Sequence, residues 1–265
     1  MGSTDRWERK VGLVTGGASG IGEAIVRRLT NQGASVVIAD IDTDGIARLE
    51  ADLGAVVSGV RTDVTRESDV AHAFSEAMRV FGHLDFVFAV AGAARGSVLT
   101  ETTDEDWDFT SDLCLKGVFL TIKYAGKTLS RTPAGSIVVV SSLNSEVPAV
   151  GLGTYCAAKA GAAMLAKVAA LELAAEGIRV NSLAPGLTRT PLAAGLIGNP
   201  GVLAAFTDRI PIGRPAEPLD IAGAACFLAS EDAAYITGVN LFVDGGWRES
   251  VYPDVKKLRS GQHST

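Results

Sequence analysis

A tyrosine and a lysine four positions apart, Tyr155 and Lys159, are the side chains of this sequence best suited to proton transfer. On a helix this spacing puts both on one face, where an ammonium ion favours the phenolate form of a nearby phenol. A free tyrosine titrates near pH ~10, so such a neighbour would make it a usable acid or base at neutral pH. Because the same spacing is common on solvated helix faces, the pair needs support from elsewhere in the chain.

A glycine-rich turn near the start of the chain gives the first such support. An apolar run at 11–15 is typical of a buried strand, and Gly16, Gly20 and Gly22 follow it where a helical pattern begins. Glycines at this spacing permit a tight turn and let the backbone approach a pyrophosphate, while the helix N-terminus offers N–H groups to the phosphates. The turn therefore predicts a dinucleotide-binding site.

Two aspartates follow at the ends of the next two predicted strands. Asp40 can accept hydrogen bonds from an adenosine ribose and would repel a 2′-phosphate, and the glycine turn contains no lysine or arginine to offset that repulsion. This favours NAD over NADP, with a simple capping aspartate as the alternative. Asp63 is placed to bond an adenine amino group.

The composition limits the class of protein. The chain has 265 residues, 47% of them apolar and 30 of them glycine, which suits one tightly turned α/β domain. A net charge of −6 argues against a nucleic-acid partner, and three scattered cysteines form neither a metal-ligand cluster nor a disulfide framework. The polar first ten residues and the lack of a bilayer-length apolar stretch predict a cytoplasmic protein with no metal and no membrane partner.

Apolar runs alternate with helical patterns along the chain. The runs typical of buried strands lie at 11–15, 35–39, 56–61, 86–91, 136–141, 179–184 and 239–243. The helical patterns lie at 22–31, 44–53, 67–81, 104–129, 154–175 and 218–230. This alternation predicts an α/β fold, a Rossmann-type doubly wound parallel β-sheet of about seven strands with helices on both faces.

The pattern indicates a single domain over residues 11–246. A short N-terminal extension (1–10) precedes it, and a polar C-terminal tail (247–265), most of which we expect to be mobile, follows it. The Gly- and Pro-rich stretch at 191–211 is interpreted as a lid over a ligand cleft, with a surface connection as the alternative.

Together these residues resemble the short-chain dehydrogenase/reductase family over nearly the whole chain. The glycine turn fits the family pattern T-G-x-x-x-G-x-G, Tyr155 and Lys159 fit Y-x-x-x-K, and Ser142 stands at the catalytic serine position. Pro185-Gly186, with threonines after it, is similar to the loop that holds the nicotinamide carboxamide. The segments I-P-I-G-R (210–214) and V-D-G-G (243–246) are similar to the family's C-terminal signature.

The resemblance implies roles for individual residues. Tyr155 would take the substrate hydroxyl proton or return it, Ser142 would bond the substrate oxygen, and Lys159 would bond the nicotinamide ribose. The implied NAD-binding residues are Gly16, Ser19, Gly20, Ile21, Gly22, Asp40, Ile41, Asp63, Val64, Ala91, Gly92, Tyr155, Lys159, Pro185, Gly186, Thr188 and Thr190. The implied substrate-binding residues are Ser142, Asn144, Leu152, Tyr155 and Leu192.

The chain departs from the family pattern at two places. Cys114 occupies a position where the family usually has asparagine, and the fourth strand ends Ala-Val-Ala-Gly (89–92) instead of Asn-Asn-Ala-Gly. In the family that asparagine helps to hold a bent helix whose backbone carbonyl positions a proton-relay water. A thiol is a poorer hydrogen-bond partner, so we hypothesise a weakened or rerouted relay with activity retained. A packing role or, with less support, redox sensing are the alternatives for Cys114.

The residues expected around the substrate are mainly apolar. Leu143, Val147, Leu152 and the 187–206 region suit an aliphatic, alicyclic, steroid-like or terpenoid-like alcohol. Arg95 and Arg189 are the nearby cations, and either could meet a substrate carboxylate. The small residues after Tyr155 allow close helix approach, and with the resemblance they imply a homotetramer, with a dimer as second choice.

The sequence therefore predicts an NAD-dependent oxidoreductase acting on a secondary alcohol or ketone. A 3-oxoacyl-(acyl-carrier-protein) reductase is the alternative within enzymes, although Asp40 weighs against the NADPH that reductive biosynthesis usually uses. A non-catalytic NAD-binding sensor is the alternative from another class.

Overall fold

A computed structural model describes residues 7–129 and 134–250. Its core is one parallel sheet of seven strands in the order β3-β2-β1-β4-β5-β6-β7. The strands are β1 (Val11–Thr15), β2 (Ser35–Asp40), β3 (Val57–Arg61), β4 (Phe86–Ala89), β5 (Ser136–Val140), β6 (Arg179–Pro185) and β7 (Asn240–Val243). The predicted Rossmann-type doubly wound sheet is confirmed.

Helices cover both faces of this sheet. They are α1 (Gly20–Thr30), α2 (Thr43–Leu53), α3 (Glu67–Phe81), α4 (Asp104–Ser111), α5 (Gly117–Leu129), α6 (Gly153–Glu172), α7 (Ala194–Ile197), α8 (Pro200–Thr207) and α9 (Pro218–Ala229). Alternate strand residues enter two separate apolar cores. Val37 belongs to the core that contains residues of α3, α5 and α6, and its neighbour Ile38 belongs to the core that contains residues of α1, α2 and α9. Burial on both faces explains why the strands are nearly continuous apolar runs.

The strand order reverses between β1 and β4, which pair side by side. At such a switch point the loops after two adjacent strands run to opposite sides and leave a crevice at the carboxyl edge of the sheet. The glycine turn follows β1 and the segment Val90–Gly92 follows β4, so both border this crevice. The topology therefore fixes where a ligand can enter.

The helical pattern predicted over 104–129 is divided into two helices, with the bend that the family resemblance implied lying between them. A π-turn at Asp112–Lys116 separates α4 from α5, and the Gly117 N–H bonds back to the carbonyl of Asp112. A π-turn adds one residue to the turn and redirects the helix axis, which apolar periodicity alone does not reveal. Cys114 lies inside this turn.

The stretch at 191–211 is more ordered than the predicted loop, because it contains α7 and α8. The first residues of the tail form a 3-10 turn, Trp247–Glu249. The rest of the tail, 251–265, most of which the sequence predicts to be mobile, lies outside the described residues. No helix in the described part of the chain is long and apolar enough to span a bilayer.

The N-terminal extension also contributes to the core. Trp7 is only 4% exposed, and its ring meets Phe86 edge-on, with 4.8 Å between centroids. Phe86 in turn meets Phe88 on β4, so this aromatic chain lies under the centre of the sheet. The structured domain thus begins before β1.

Candidate active site

A cleft of about 1330 Å³ opens at the carboxyl edge of the sheet. The structure brings together in its lining all the predicted cofactor and substrate residues named above: Gly16, Ser19, Gly20, Ile21, Gly22, Asp40, Ile41, Asp63, Val64, Ala91, Gly92, Ser142, Asn144, Leu152, Tyr155, Lys159, Pro185, Gly186, Thr188, Thr190 and Leu192. These residues lie at the carboxyl ends of six different strands or in the loops and first helical turns that follow them. Cys114, the altered relay position, does not line the cleft.

The glycine turn is shaped for close backbone approach. Gly16 has a φ of +65°, and a Cβ there would lie 2.7 Å from the backbone of Ala91. A Cβ at Gly22 would collide with the carbonyl oxygen of Gly16, so α1 can begin here only with glycine. Ser19, which precedes α1, makes no side-chain capping bond, so the first N–H groups of the helix remain directed at the cleft. This is a cradle for an anionic group.

Asp40 is held in place at the end of β2. Its carboxylate accepts hydrogen bonds from the N–H groups of Ala18 at 2.9 Å and Asp42 at 3.0 Å. A carboxylate offers about four acceptor positions, so capacity remains for a ligand hydroxyl. Asp63 accepts from the N–H of Thr65 at 3.0 Å and from its hydroxyl at 2.7 Å, which orients the side chain at the edge of the cleft.

The structure also places a cation near this turn that the sequence analysis missed. Arg48, on α2, donates to the carbonyl of Ala18 at 3.1 Å and pairs with Glu23 at 2.7 Å. The hydrogen bond from Arg48 is the main reason that the pKa of Glu23 lies below its usual value. Local sequence gives no signal for this contact, because it joins residues on two separate helices.

The Tyr155–Lys159 pair lies in the first turns of α6. The Lys159 ammonium is 5.7 Å from the centre of the Tyr155 ring, and the lysine is only 2% exposed. Its Nζ donates to the carbonyl of Val140, at the end of β5, at 2.9 Å. Among the described residues, no ion pair joins Lys159 to a carboxylate. Its positive charge is therefore available beside the phenol.

Ser142 follows β5 and is 8% exposed. Its Oγ accepts the N–H of Asn144 at 3.1 Å, which leaves its proton free for donation. The Asn144 amide donates to the carbonyl of Val147 at 2.9 Å and stabilises the loop.

The loop after β6 closes over the glycine turn. Thr188 donates to the carbonyl of Gly186 at 3.0 Å and is 5% exposed. A Cβ on Gly20 would lie 3.2 Å from the Thr190 methyl group, so the two loops touch. The glycine turn and the loop after β6 thus form one continuous surface.

Cys114 is completely buried in the π-turn, and its thiol donates to the carbonyl of Ala93 at 3.1 Å. A Cβ on Gly92 would lie 3.2 Å from Lys159 Nζ and 3.5 Å from Cys114 Sγ, so both groups flank the same point of the backbone. The bend survives without the asparagine, with a weak S–H donor making the link to the β4 loop.

The cleft has acidic and aromatic residues that the sequence analysis did not single out. Glu105, Asp108 and Asp112 line it, together with Phe109 and Trp247. Of the two arginines considered for a substrate carboxylate, Arg95 pairs with Glu105 at 3.1 Å and Asp106 at 3.2 Å and stacks on Phe109. Arg189 pairs with Glu217 at 3.1 Å and is not part of the lining.

The cysteines are free thiols: Cys114 and Cys226 are buried and Cys156 is partly exposed. Burial raises the pKa of the Cys226 thiol to about 12, so this residue stays protonated near neutral pH. The described residues contain no cluster of acidic, histidine and cysteine side chains that could hold a metal ion.

A doubly wound sheet with a glycine cradle at its switch point is the architecture of a dinucleotide-binding protein. Comparison with known proteins narrows this class. The family model adh_short_C2, described as Enoyl-(Acyl carrier protein) reductase, matches residues 16–248. The chain belongs to the short-chain dehydrogenase/reductase family, whose members are oxidoreductases.

Three similar proteins illustrate the range of this family. Cis-4-hydroxycyclohexanecarboxylate dehydrogenase of Sinomonas cyclohexanicum is 43% identical over 92% of this chain and 98% of its own. 2,5-dichloro-2,5-cyclohexadiene-1,4-diol dehydrogenase LinX of Sphingobium indicum is 38% identical over 93% of this chain and 99% of its own. The crystal structure of 3-ketoacyl-(acyl-carrier-protein) reductase from Brucella melitensis complexed with NADH superposes with a TM-score of 0.83, at 34% identity, over 91% of this chain and 99% of that one.

Proposed function

We propose that this protein is an NAD-dependent dehydrogenase/reductase that interconverts a cyclic secondary alcohol and its ketone. The observation that carries the proposal is that Ser142, Tyr155 and Lys159 line one cleft with the glycine cradle and Asp40. A proton-transfer group and a dinucleotide site in the same cleft are what this chemistry requires.

The residues present fit a nicotinamide dinucleotide. The cradle at Gly16–Gly22 would hold the pyrophosphate, Asp40 the adenosine ribose, and the loop from Pro185 to Thr190 the nicotinamide end. When bound, the nicotinamide ring supplies the acceptor or donor of two electrons.

The protein's own groups manage the proton and the substrate oxygen. In alcohol oxidation Tyr155 accepts the hydroxyl proton, and in ketone reduction it returns one. Ser142 donates a hydrogen bond to the substrate oxygen and stabilises negative charge that develops there. The buried Lys159 ammonium stabilises negative charge on the Tyr155 oxygen.

The proposed substrate class rests on the cleft and on the relatives. Apolar side chains dominate its substrate end, at Leu143, Val147, Leu152, Leu192, Leu196 and Phe206. Both curated relatives compared above are named for alcohols on six-membered carbon rings. Because Arg95 is already paired with two carboxylates, we propose a neutral ring alcohol rather than a carboxylate-bearing one.

Nicotinamide absorbance tests the proposal directly. Purified protein is given NAD⁺ with ring alcohols, and NADH with the matching ketones, alongside open-chain alcohols and acyl thioester ketones. We expect turnover of ring substrates. Turnover of acyl thioesters alone would favour the carrier-protein reductase, and NAD binding without turnover on any substrate would favour the sensor.

The 3-oxoacyl-(acyl-carrier-protein) reductase is the second candidate, because one similar structure is a 3-ketoacyl-(acyl-carrier-protein) reductase. The description of the family model also names a carrier-protein reductase, although one for enoyl substrates. The charge on the cleft opposes it. Glu105, Asp108 and Asp112 line the cleft near Arg95, whose charge is already paired with Glu105 and Asp106, and the chain has a net charge of −6. An anionic phosphopantetheine-type substrate would be repelled by such a surface.

Cofactor preference should change when Asp40 is replaced. We expect Asp40→Asn to lower kcat/KM with NAD by about 10- to 100-fold, the worth of a hydrogen bond to a charged group, and to improve use of NADP. Arg48 does not replace this discrimination, because its charge is paired with Glu23. The measurement is the ratio of kcat/KM with the two cofactors. Asp44→Asn, on the exposed start of α2, is the control, and a native preference for NADP would contradict the argument.

The Cys114 hypothesis is tested by restoring the amide. We expect Cys114→Asn to shift the pH dependence of kcat and to change turnover by less than about tenfold, because the proton-transfer groups themselves remain in place. Cys114→Ala is the control for lost packing. An unchanged pH profile and an unchanged turnover in Cys114→Asn would show that the thiol has only a packing role.

We also propose a homotetramer, with a dimer as the alternative. Supporting this, α6 exposes an apolar stripe opposite its buried face, at Met164, Val168 and Leu171, and Leu171 is 83% exposed. We expect Val168→Glu with Leu171→Glu to lower the mass measured by light scattering to that of a smaller species. Val80→Glu, on the exposed face of α3, is the matched control, and an unchanged mass of the double variant would exclude this face as the interface.

A further inference from the structure

The short segment after β7 carries an aromatic side chain into the cleft. Asp244 fixes its shape: its carboxylate accepts the N–H of Gly246 at 2.9 Å and that of Arg248 at 2.8 Å. The resulting turn leads into Trp247–Glu249, and Trp247 lines the cleft. The position of Trp247 is thus set by hydrogen bonds from neighbouring N–H groups to the Asp244 carboxylate.

This segment contacts two loops that border the substrate end of the cleft. A Cβ on Gly186 would lie 2.8 Å from the Cα of Asp244, so the segment packs against the loop after β6. Arg248 pairs with Glu146 at 2.9 Å, which joins the segment to the loop that carries Ser142. The guanidinium of Arg248 also stacks on the Phe242 ring, 4.3 Å from its centroid, and this contact orients the Arg248 side chain.

A third contact reaches the predicted lid. The ring of Trp247 meets Phe206 of α8 edge-on, with 5.3 Å between centroids, and both side chains line the cleft. The hydroxyl of Ser250 donates to the carbonyl of Arg209, just after α8, at 2.7 Å. Trp247 therefore lies where the loop that carries Ser142, the loop after β6 and helix α8 meet.

We propose that Trp247 is a specificity-determining residue that, with Phe206, forms a rigid aromatic wall selecting ring-shaped alcohols over open-chain ones. The inference rests on the function proposed above and deepens it. A tryptophan presents a large flat apolar face at little cost in conformational entropy, and here its rotation is restrained by Phe206. A ring fits against such a face without losing internal rotations, whereas an open chain must be ordered to do so.

The test compares two six-carbon secondary alcohols, cyclohexanol and 2-hexanol, with NAD⁺. We expect Trp247→Ala to lower kcat/KM for cyclohexanol by about 10- to 100-fold, mainly through KM, and to change that for 2-hexanol by less than about threefold. Trp247→Phe should recover most of the selectivity. Trp107→Ala is the matched control, because this tryptophan of α4 is 46% exposed and does not line the cleft.

An equal loss for both alcohols, or no loss for either, would overturn the inference. If Trp247→Ala does not fold, Phe206→Leu and Arg248→Met carry the same comparison, because each releases the tryptophan without removing it, and an unchanged ratio in both overturns the inference. The two proposals fail differently. Absence of turnover of any alcohol by the native protein would contradict the proposed function. Turnover with a ratio of kcat/KM for cyclohexanol and 2-hexanol that does not depend on Trp247 would contradict only the aromatic wall.

Discussion

We expect replacement of Tyr155 by phenylalanine to lower kcat by about 10³-fold, within the range that a positioned acid or base contributes. The ring keeps its packing at the start of α6, but no group remains at its tip to accept the hydroxyl proton. We expect the affinity for NADH, measured by fluorescence, to change by less than about threefold, since the hydroxyl loses at most one hydrogen bond of modest net worth. The loss would thus appear in kcat and not in cofactor binding.

The control for this prediction is the same chemical change at a neutral position. Tyr235 is fully exposed and lies outside the cleft lining, so Tyr235→Phe should leave kcat unchanged. Full-speed turnover by Tyr155→Phe would mean that another group carries the proton, and the proposed mechanism would be wrong.

The second large effect concerns Lys159, whose replacement should lower activity without lowering the stability of the fold. We expect Lys159→Met to lower kcat/KM by about 10²- to 10³-fold, because negative charge that develops on the Tyr155 oxygen during proton transfer would lose its nearby positive charge. The free energy of unfolding should stay unchanged or rise by up to about 3 kcal/mol. A buried charge without an ionic partner costs several kcal/mol, which exceeds the roughly 1–3 kcal/mol lost when the Val140 carbonyl is left unpaired.

Chemical denaturation and initial rates measured on the same preparation check both halves of this prediction. Lys167→Met, on the exposed side of the same helix, controls for helix propensity and surface charge. Because Lys167 lies next to Met164 and Leu171 of the proposed interface, the mass of both variants is compared by light scattering. If Lys159→Met unfolds more easily by several kcal/mol, the ammonium is a structural link between α6 and β5, and its electrostatic role at the phenol loses support.

Much of this architecture could be predicted from the sequence, because the signals involved are local. Buried parallel strands are apolar runs bounded by turn residues, and every predicted strand end lies within two residues of the observed one. The glycine turn is equally local, since a φ of +65° at Gly16 and the collision of any Cβ at Gly22 leave few other residues for those positions.

Features that depend on contacts between distant segments were missed. The π-turn around Cys114 leaves the apolar pattern of 104–129 intact, so periodicity predicted one helix. Arg48 reaches the glycine turn only because α1 and α2 lie side by side. Trp247 follows the last strand in a stretch rich in charge, and only the folded chain shows that it meets Phe206.

The placement of Trp7 has a practical consequence for anyone who shortens or tags this protein. A cut made at the first residue of β1, Val11, would remove the Trp7 indole, which is 4% exposed, and leave a cavity beside Phe86. Vacating a site of that size costs about 3–5 kcal/mol, a large part of what holds an ordinary domain together. Purification tags and cleavage sites should therefore be placed before Trp7, so that its side chain remains packed in the core.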